Sequence, residues 1–162
     1  MTTGDISIYK TPSILPGSKT HQVASGGTPP AINAGELVLK TLGNQYVIAM
    51  ATNKPVVATD FVAGLSFTAS TETSTNDGTV DVQPLIPGII YLIAPKVAAT
   101  WNTQALYNAL VGKRVLIDVT SGKLTILAAD NSTYGCIIEN LNIQQYPGQV
   151  AFSIRAGASY LA

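Results

Sequence analysis

Residues able to do chemistry are few in this 162-residue chain, and their spacing keeps them apart. A serine, threonine or cysteine nucleophile needs a base within hydrogen-bond reach. The one histidine, His21, sits in a Pro- and Gly-rich stretch far along the sequence from the one cysteine, Cys136. His21 is expected as a solvated loop residue, and Cys136, between Gly135 and Ile137, as a small buried hydrophobe. Acid–base work needs paired carboxylates; the closest pair, Asp77 and Asp81, flanks a hairpin where turn and solvent-facing roles suffice. Metal binding lacks a Cys/His cluster, and Asn76-Asp77-Gly78 lacks the spaced ligands of a calcium loop. Gly26-Gly27 and Val111-Gly112-Lys113 match no phosphate-cradling pattern. The residues therefore point away from an enzyme: no catalytic residues, no metal, no cofactor and no small-molecule substrate are expected.

Composition narrows the classes further. Lys plus Arg and Asp plus Glu number nine each, and charged residues make up 11% of the chain, against roughly 25% for an ordinary soluble domain. Nucleic-acid binding needs a clustered positive field, whereas the closest basic pair, Lys113-Arg114, stands alone without aromatic neighbours. No nucleic-acid partner is expected. A surface made soluble by Thr, Ser, Asn, Gln and Gly instead suits a protein docked in an assembly. Every apolar run is broken by Pro, Gly or a charge well before 18 residues, so no membrane partner is expected. The first residues lack the basic and apolar regions of a secretory signal, which points to synthesis in a cytoplasm without export by that route. One cysteine forms no internal bridge, so the fold must rest on its core.

The elements that would position any site read as β-structure. Along 61–93, Phe61, Ala63, Leu65 and Phe67 alternate with Val62, Gly64 and Ser66, the period of two of a half-buried strand. A loop of Ser, Thr, Asn, Asp and Gly follows, then Val80 and Val82 against Thr79, Asp81 and Gln83. Pro84 and Pro87 make a corner before Gly88, and the consecutive apolar residues 89–93 suggest a strand covered on both faces. Gly43-Asn44 between two apolar runs signals a two-residue hairpin. Asn102 or Thr103 could cap one short helix over 104–111, with Leu106 and Leu110 sharing a face and Gly112 ending it. Val115, Ile117 and Val119 share a strand face; alternation slips around Glu139-Asn140, as a bulge would make it; Val150, Phe152 and Ile154 close the pattern. Nine or ten short, mostly antiparallel strands imply an all-β sandwich or barrel over 35–162.

Residues 1–34 differ. Pro12, Pro16, Pro29, Pro30 and four glycines break regular elements, so an extended N-terminal arm is expected there. Ile6, Ile8, Tyr9, Ile14 and Leu15 are apolar residues that a solvated tail seldom carries, so part of the arm should lie on a surface, its own or a partner's.

INAGELV at 32–38, DGTVDVQPLIPGIIYLI at 77–93, the VGKRV…SGKLT hairpin and the closing GQVAFSIR together resemble the capsid cement, or head decoration, proteins of tailed bacteriophages. The likeness runs in order over residues 32–155. It implies a small β-barrel or sandwich on the outside of an icosahedral head, clamping neighbouring major capsid subunits, often as a trimer, and assembled in the host bacterial cytoplasm. The five apolar arm residues would make the reach to the neighbour. Two other readings stay open: a β-sandwich carbohydrate-binding module, which would need Tyr91, Trp101 and Tyr107 as an exposed aromatic platform, and a tail-tube or head-completion subunit.

Overall fold

The computed structural model describes residues 6–10, 17–51, 53–95, 101–120, 123–126 and 130–159. Among them are twelve strands, one short α-helix and a 3-10 turn, divided between two sheets. The all-β expectation holds, with one nearly barrel-shaped sheet.

The smaller sheet runs in the order β2 (Lys19–Val23), β6 (Gly78–Gln83), β5 (Asp60–Ser66), β3 (Leu37–Thr41), β4 (Val47–Ala49), all antiparallel. Both faces of its centre are buried. Leu37, Leu39 and Val62 join the main core, while Val38, Ala63, Val80, Val82, Val23, Val47 and Ile32 form a second cluster on the inner face. The edge strands β2 and β4 approach each other, so the sheet curls around that inner cluster. The simple alternation expected along β5 is interrupted. Leu37 stands opposite Leu65, Val38 opposite Gly64, but Leu39 opposite Val62, so Ala63 is the extra residue of a bulge and parity flips there. Gly64 makes this possible at φ +150, because a Cβ on it would lie 2.0 Å from the Gln83 carbonyl oxygen.

The larger sheet runs β8 (Arg114–Val115), β11 (Cys136–Ile138), β12 (Val150–Ile154), β7 (Ile90–Pro95), β10 (Lys123–Ile126), β9 (Ile117–Thr120), with β1 (Ile6–Lys10) also on β7. Its two ends, β8 and β9, are joined by Leu116 alone. The order therefore returns to its start, and the sheet rolls towards closure. What the sequence presents as one strand over 113–119 is two short ones paired to different neighbours, which is why four residues in a row, Val115 to Asp118, are buried. Inside lie Tyr91, Phe152, Ile93, Ile117, Ile126, Cys136 and Ile138. The rings of Tyr91 and Phe152 meet at 5.8 Å.

Turns follow local chemistry. Pro87 and Gly88 (φ +86) occupy the centre of the corner between β6 and β7, closed by the Ile89 N–H on the Ile86 carbonyl. Gly43 and Asn44 do join β3 to β4, but the loop spans residues 42–46 rather than two. The helix α1 (Gln104–Asn108) is capped by Thr103, whose Oγ1 accepts from the Leu106 N–H at 3.2 Å. Its buried side is Tyr107 with Leu110, not Leu106, which is 47% exposed. The slip at Glu139-Asn140 is the end of β11, not a bulge within it, since β11 and β12 stay in register.

The first 34 residues add β1 to the larger sheet and β2 to the smaller one, and Ile32 sits fully buried in the inner cluster. His21, expected as a solvated loop residue, instead lies on the inner face of β2 and is buried. A pattern of Lys-Thr-His-Gln-Val hides this strand, because only Val23 is apolar.

Candidate functional site

Ile6, Ile8 and Tyr9, three of the five residues expected to reach a neighbour, belong to β1. Ile6 stands opposite Ile93 and Ile8 opposite Tyr91; the register then shifts before Lys10, leaving Tyr9 without an opposite residue. Ile14 and Leu15 lie outside the described residues. β7 carries β1 on one side and β12 on the other, and no second strand among the described residues pairs with β1. Among the described residues, then, the side of β1 away from β7 has no partner strand.

A second feature, missed in the sequence, is an open cleft of about 700 Å³ between α1 and the loop after β11. Gln104 and Asn108, one helical turn apart, face Asn140, Asn142 and Gln144 across it. Gln104 ties the walls together. Its Nε2 donates to the Leu141 carbonyl at 2.9 Å and to Asn108 Oδ1 at 2.7 Å, and its Oε1 accepts from the Ile143 N–H at 3.1 Å. Asn142 Oδ1 accepts from the Gln144 N–H at 3.0 Å. Below, the Tyr107 hydroxyl donates to the Glu139 carbonyl and accepts from the Ala151 N–H, both at 2.9 Å, which fixes helix and loop to β12. The signal was present as amides at 140, 142 and 144 with period two and at 104 and 108 with helical period; neither stripe means anything until the fold opposes them.

The titratable groups serve structure. Asp60, fully buried, accepts from Lys54 Nζ at 2.9 Å and from the Val56 N–H at 3.2 Å, holding the loop whose Lys54 bridges to Ile117 of the larger sheet and whose Val56 bridges to Tyr134 just before β11. Burial pushes the Glu72 carboxyl up, but hydrogen bonds from Ser70 and from the Ala31 N–H outweigh it and hold the group below the ordinary range. Asp77 accepts from Tyr46 Oη at 2.5 Å and from the Ser25 N–H at 2.7 Å; these bonds lower its pKa and raise that of Tyr46. Asp77 is thus a tie between hairpins rather than half of an acid–base pair with Asp81, which accepts from Thr20 Oγ1. Burial pushes the Cys136 thiol up, away from reactive thiolate, and lifts the Tyr91 phenol to about 12. Arg114 pairs with Asp130 at 2.9 Å. Among the described residues no group of three or more His, Cys, Asp or Glu is placed to hold a metal ion. Among the described residues no helix is long and apolar enough to cross a membrane.

Tyr91, Trp101 and Tyr107 do not form an exposed platform: all three are buried, and Trp101 meets Tyr107 edge-on at 5.6 Å as closure of the main core. Comparison with family models, with curated proteins and with solved structures finds no match to this chain.

Proposed function

We propose that this protein is a structural, non-enzymatic component of a phage virion that binds the outer surface of an icosahedral head and clamps neighbouring major capsid subunits. The observation that carries the reading is the N-terminal strand. β1 lies on the flank of β7 with its outer edge unpaired by any described strand, so an approaching chain could extend the sheet there by main-chain hydrogen bonds. Two further features support it. The resemblance over residues 32–155 spans both sheets, and the charge-poor surface exposes Leu42, Ile48 and Phe67, large apolar side chains at loop and edge positions of the smaller sheet.

The mechanism is mechanical. Packaged DNA pushes the shell outward, and each bound copy adds interface free energy that must be lost before adjacent subunits part. A micromolar contact, about 8 kcal/mol, counts heavily when repeated over a closed lattice. A trimer would place three such edges around one symmetry axis.

The test is co-sedimentation with expanded, undecorated phage heads, comparing the wild type with an Ile6→Ser/Ile8→Ser variant checked for folding by circular dichroism. A deletion reaching residue 30 would be uninformative, because it removes β2 from the smaller sheet. Wild-type binding with reduced occupancy of the folded variant is expected. Equal occupancy removes β1 from the contact; wild-type protein that ignores heads and forms rings or tubes overturns the cement reading in favour of a tail-tube or head-completion subunit.

A further inference from the structure

The cleft between α1 and the loop after β11 has no part in the clamp described above. Its lining is unusual in one respect. Five of its side chains are carboxamides, and none of its residues ionises. An anionic or cationic ligand would find no counter-charge there, and a purely apolar one would strand the amides without partners. A carboxamide offers two donors and an acceptor on one plane, which matches adjacent hydroxyls that each donate once and accept twice. Val111, 39% exposed, adds a small apolar patch of the kind that the C–H face of a sugar ring can cover. The volume, about 700 Å³, lies in the roughly 300–1,000 Å³ range of small-molecule sites.

The site is also pre-formed. Gln104 uses both ends of its amide to join helix to loop, and Asn108 and Asn142 each have an oxygen already occupied by a neighbour. That leaves their NH2 groups as the oriented donors, with Asn140 and Gln144 exposed beside them. Fixed amides on a tied scaffold lose little freedom when a ligand arrives. An extended peptide is a poorer fit, since a helix and a loop, rather than a strand edge, form the walls.

We propose that this cleft binds a neutral carbohydrate chain, with Asn108, Asn140, Asn142 and Gln144 as its hydrogen-bonding residues and Gln104 as their positioning residue. On a head-bound copy such a site would hold polysaccharide; it does not depend on the shell-binding reading and is tested on the free protein.

The experiment is a titration of the full-length, isotope-labelled protein with maltohexaose, cellohexaose and chitohexaose, following side-chain amide signals by NMR. Each sugar is taken to about 10 mM, where a millimolar site is largely filled. The expected result is saturable movement of the Asn108, Asn140, Asn142 and Gln144 amide signals with at least one sugar. An Asn108→Ala/Asn142→Ala variant with an unchanged backbone spectrum should weaken binding about tenfold or more. Three outcomes overturn the proposal: no movement with any of the three sugars, movement confined to residues outside the cleft, or unchanged affinity in the folded double variant. If that variant does not fold, Gln144→Ala, which alters an exposed loop side chain, makes the same comparison.

Discussion

The two sheets reach the same end, a buried centre, by different means. In the larger sheet the interior is filled with big side chains, among them Tyr91, Phe152, Tyr107 and Trp101, and the Tyr107 hydroxyl there is bonded to both the Glu139 carbonyl and the Ala151 N–H. The inner cluster of the smaller sheet consists of valines with one alanine and one isoleucine. Such small residues bury little area each, and the loops around them are fastened by polar groups instead. Ser70 Oγ and Ile32 exchange bonds, Glu72 takes the Ala31 N–H, the Glu36 N–H reaches Ser66 Oγ, and Asp77 ties Ser25 to Tyr46. The difference teaches that apolar volume secures one half and hydrogen-bonded loops secure the other, so the halves should respond differently to the same stress.

The largest effect should come from volume removed in the larger sheet. Phe152→Ala should cost roughly 3–5 kcal/mol in denaturant unfolding, and Cys136, fully buried two positions from the cross-strand partner of Phe152, should then react with a thiol reagent that spares the wild type. A cost below about 1 kcal/mol would break the contrast. Next comes Gly64→Ala in the smaller sheet. The new methyl would press on the Gln83 carbonyl at a backbone angle that L-residues avoid, costing about 1–3 kcal/mol, with amide exchange accelerated in β5 and β6 before β11 and β12. Tyr107→Phe keeps the ring and removes the hydroxyl, leaving the Ala151 N–H and the Glu139 carbonyl without that partner. About 1–3 kcal/mol is expected by thermal melting, together with loosening of the helix against the cleft loop.

The smallest effect is one of pH and belongs to the smaller sheet. Burial, then the nearby Lys40 and Lys19, lower the pKa of His21 from the ordinary 6.5. The unfolded chain therefore takes up a proton first as pH falls, so this contribution to stability is full above about pH 6.5 and is lost below it. Glu72 and Asp77, lowered in pKa, add losses of the same sign at more acid pH. Melting temperature should fall between pH 7 and 5 in the wild type and less steeply in His21→Gln; equal slopes would remove His21 from the account.

Much of the fold was legible in the residues. Val80 and Val82, the Pro87-Gly88 corner, the antiparallel pairing of 117–120 with 123–126 and the Thr103 cap each follow from local chemistry, and each is found. What could not be read depends on distant partners. The β5 bulge needs β3 opposite it, the break at Leu116 exists because β11 and β10 claim different halves of one apolar run, and β2 is a strand because β6 offers an edge to a mostly polar segment. The cleft was illegible for the same reason, since Gln104 and Asn142 are 38 positions apart and meet only through the seat of Tyr107 on β12.

The clamp reading meets its most direct test in electron microscopy of expanded, undecorated phage heads incubated with the purified full-length protein. The account predicts saturable density on the outer surface, at symmetry-related sites between major capsid subunits, with β1 at the contact. Bare heads in the presence of folded protein, or density scattered without regard to the lattice, would contradict it.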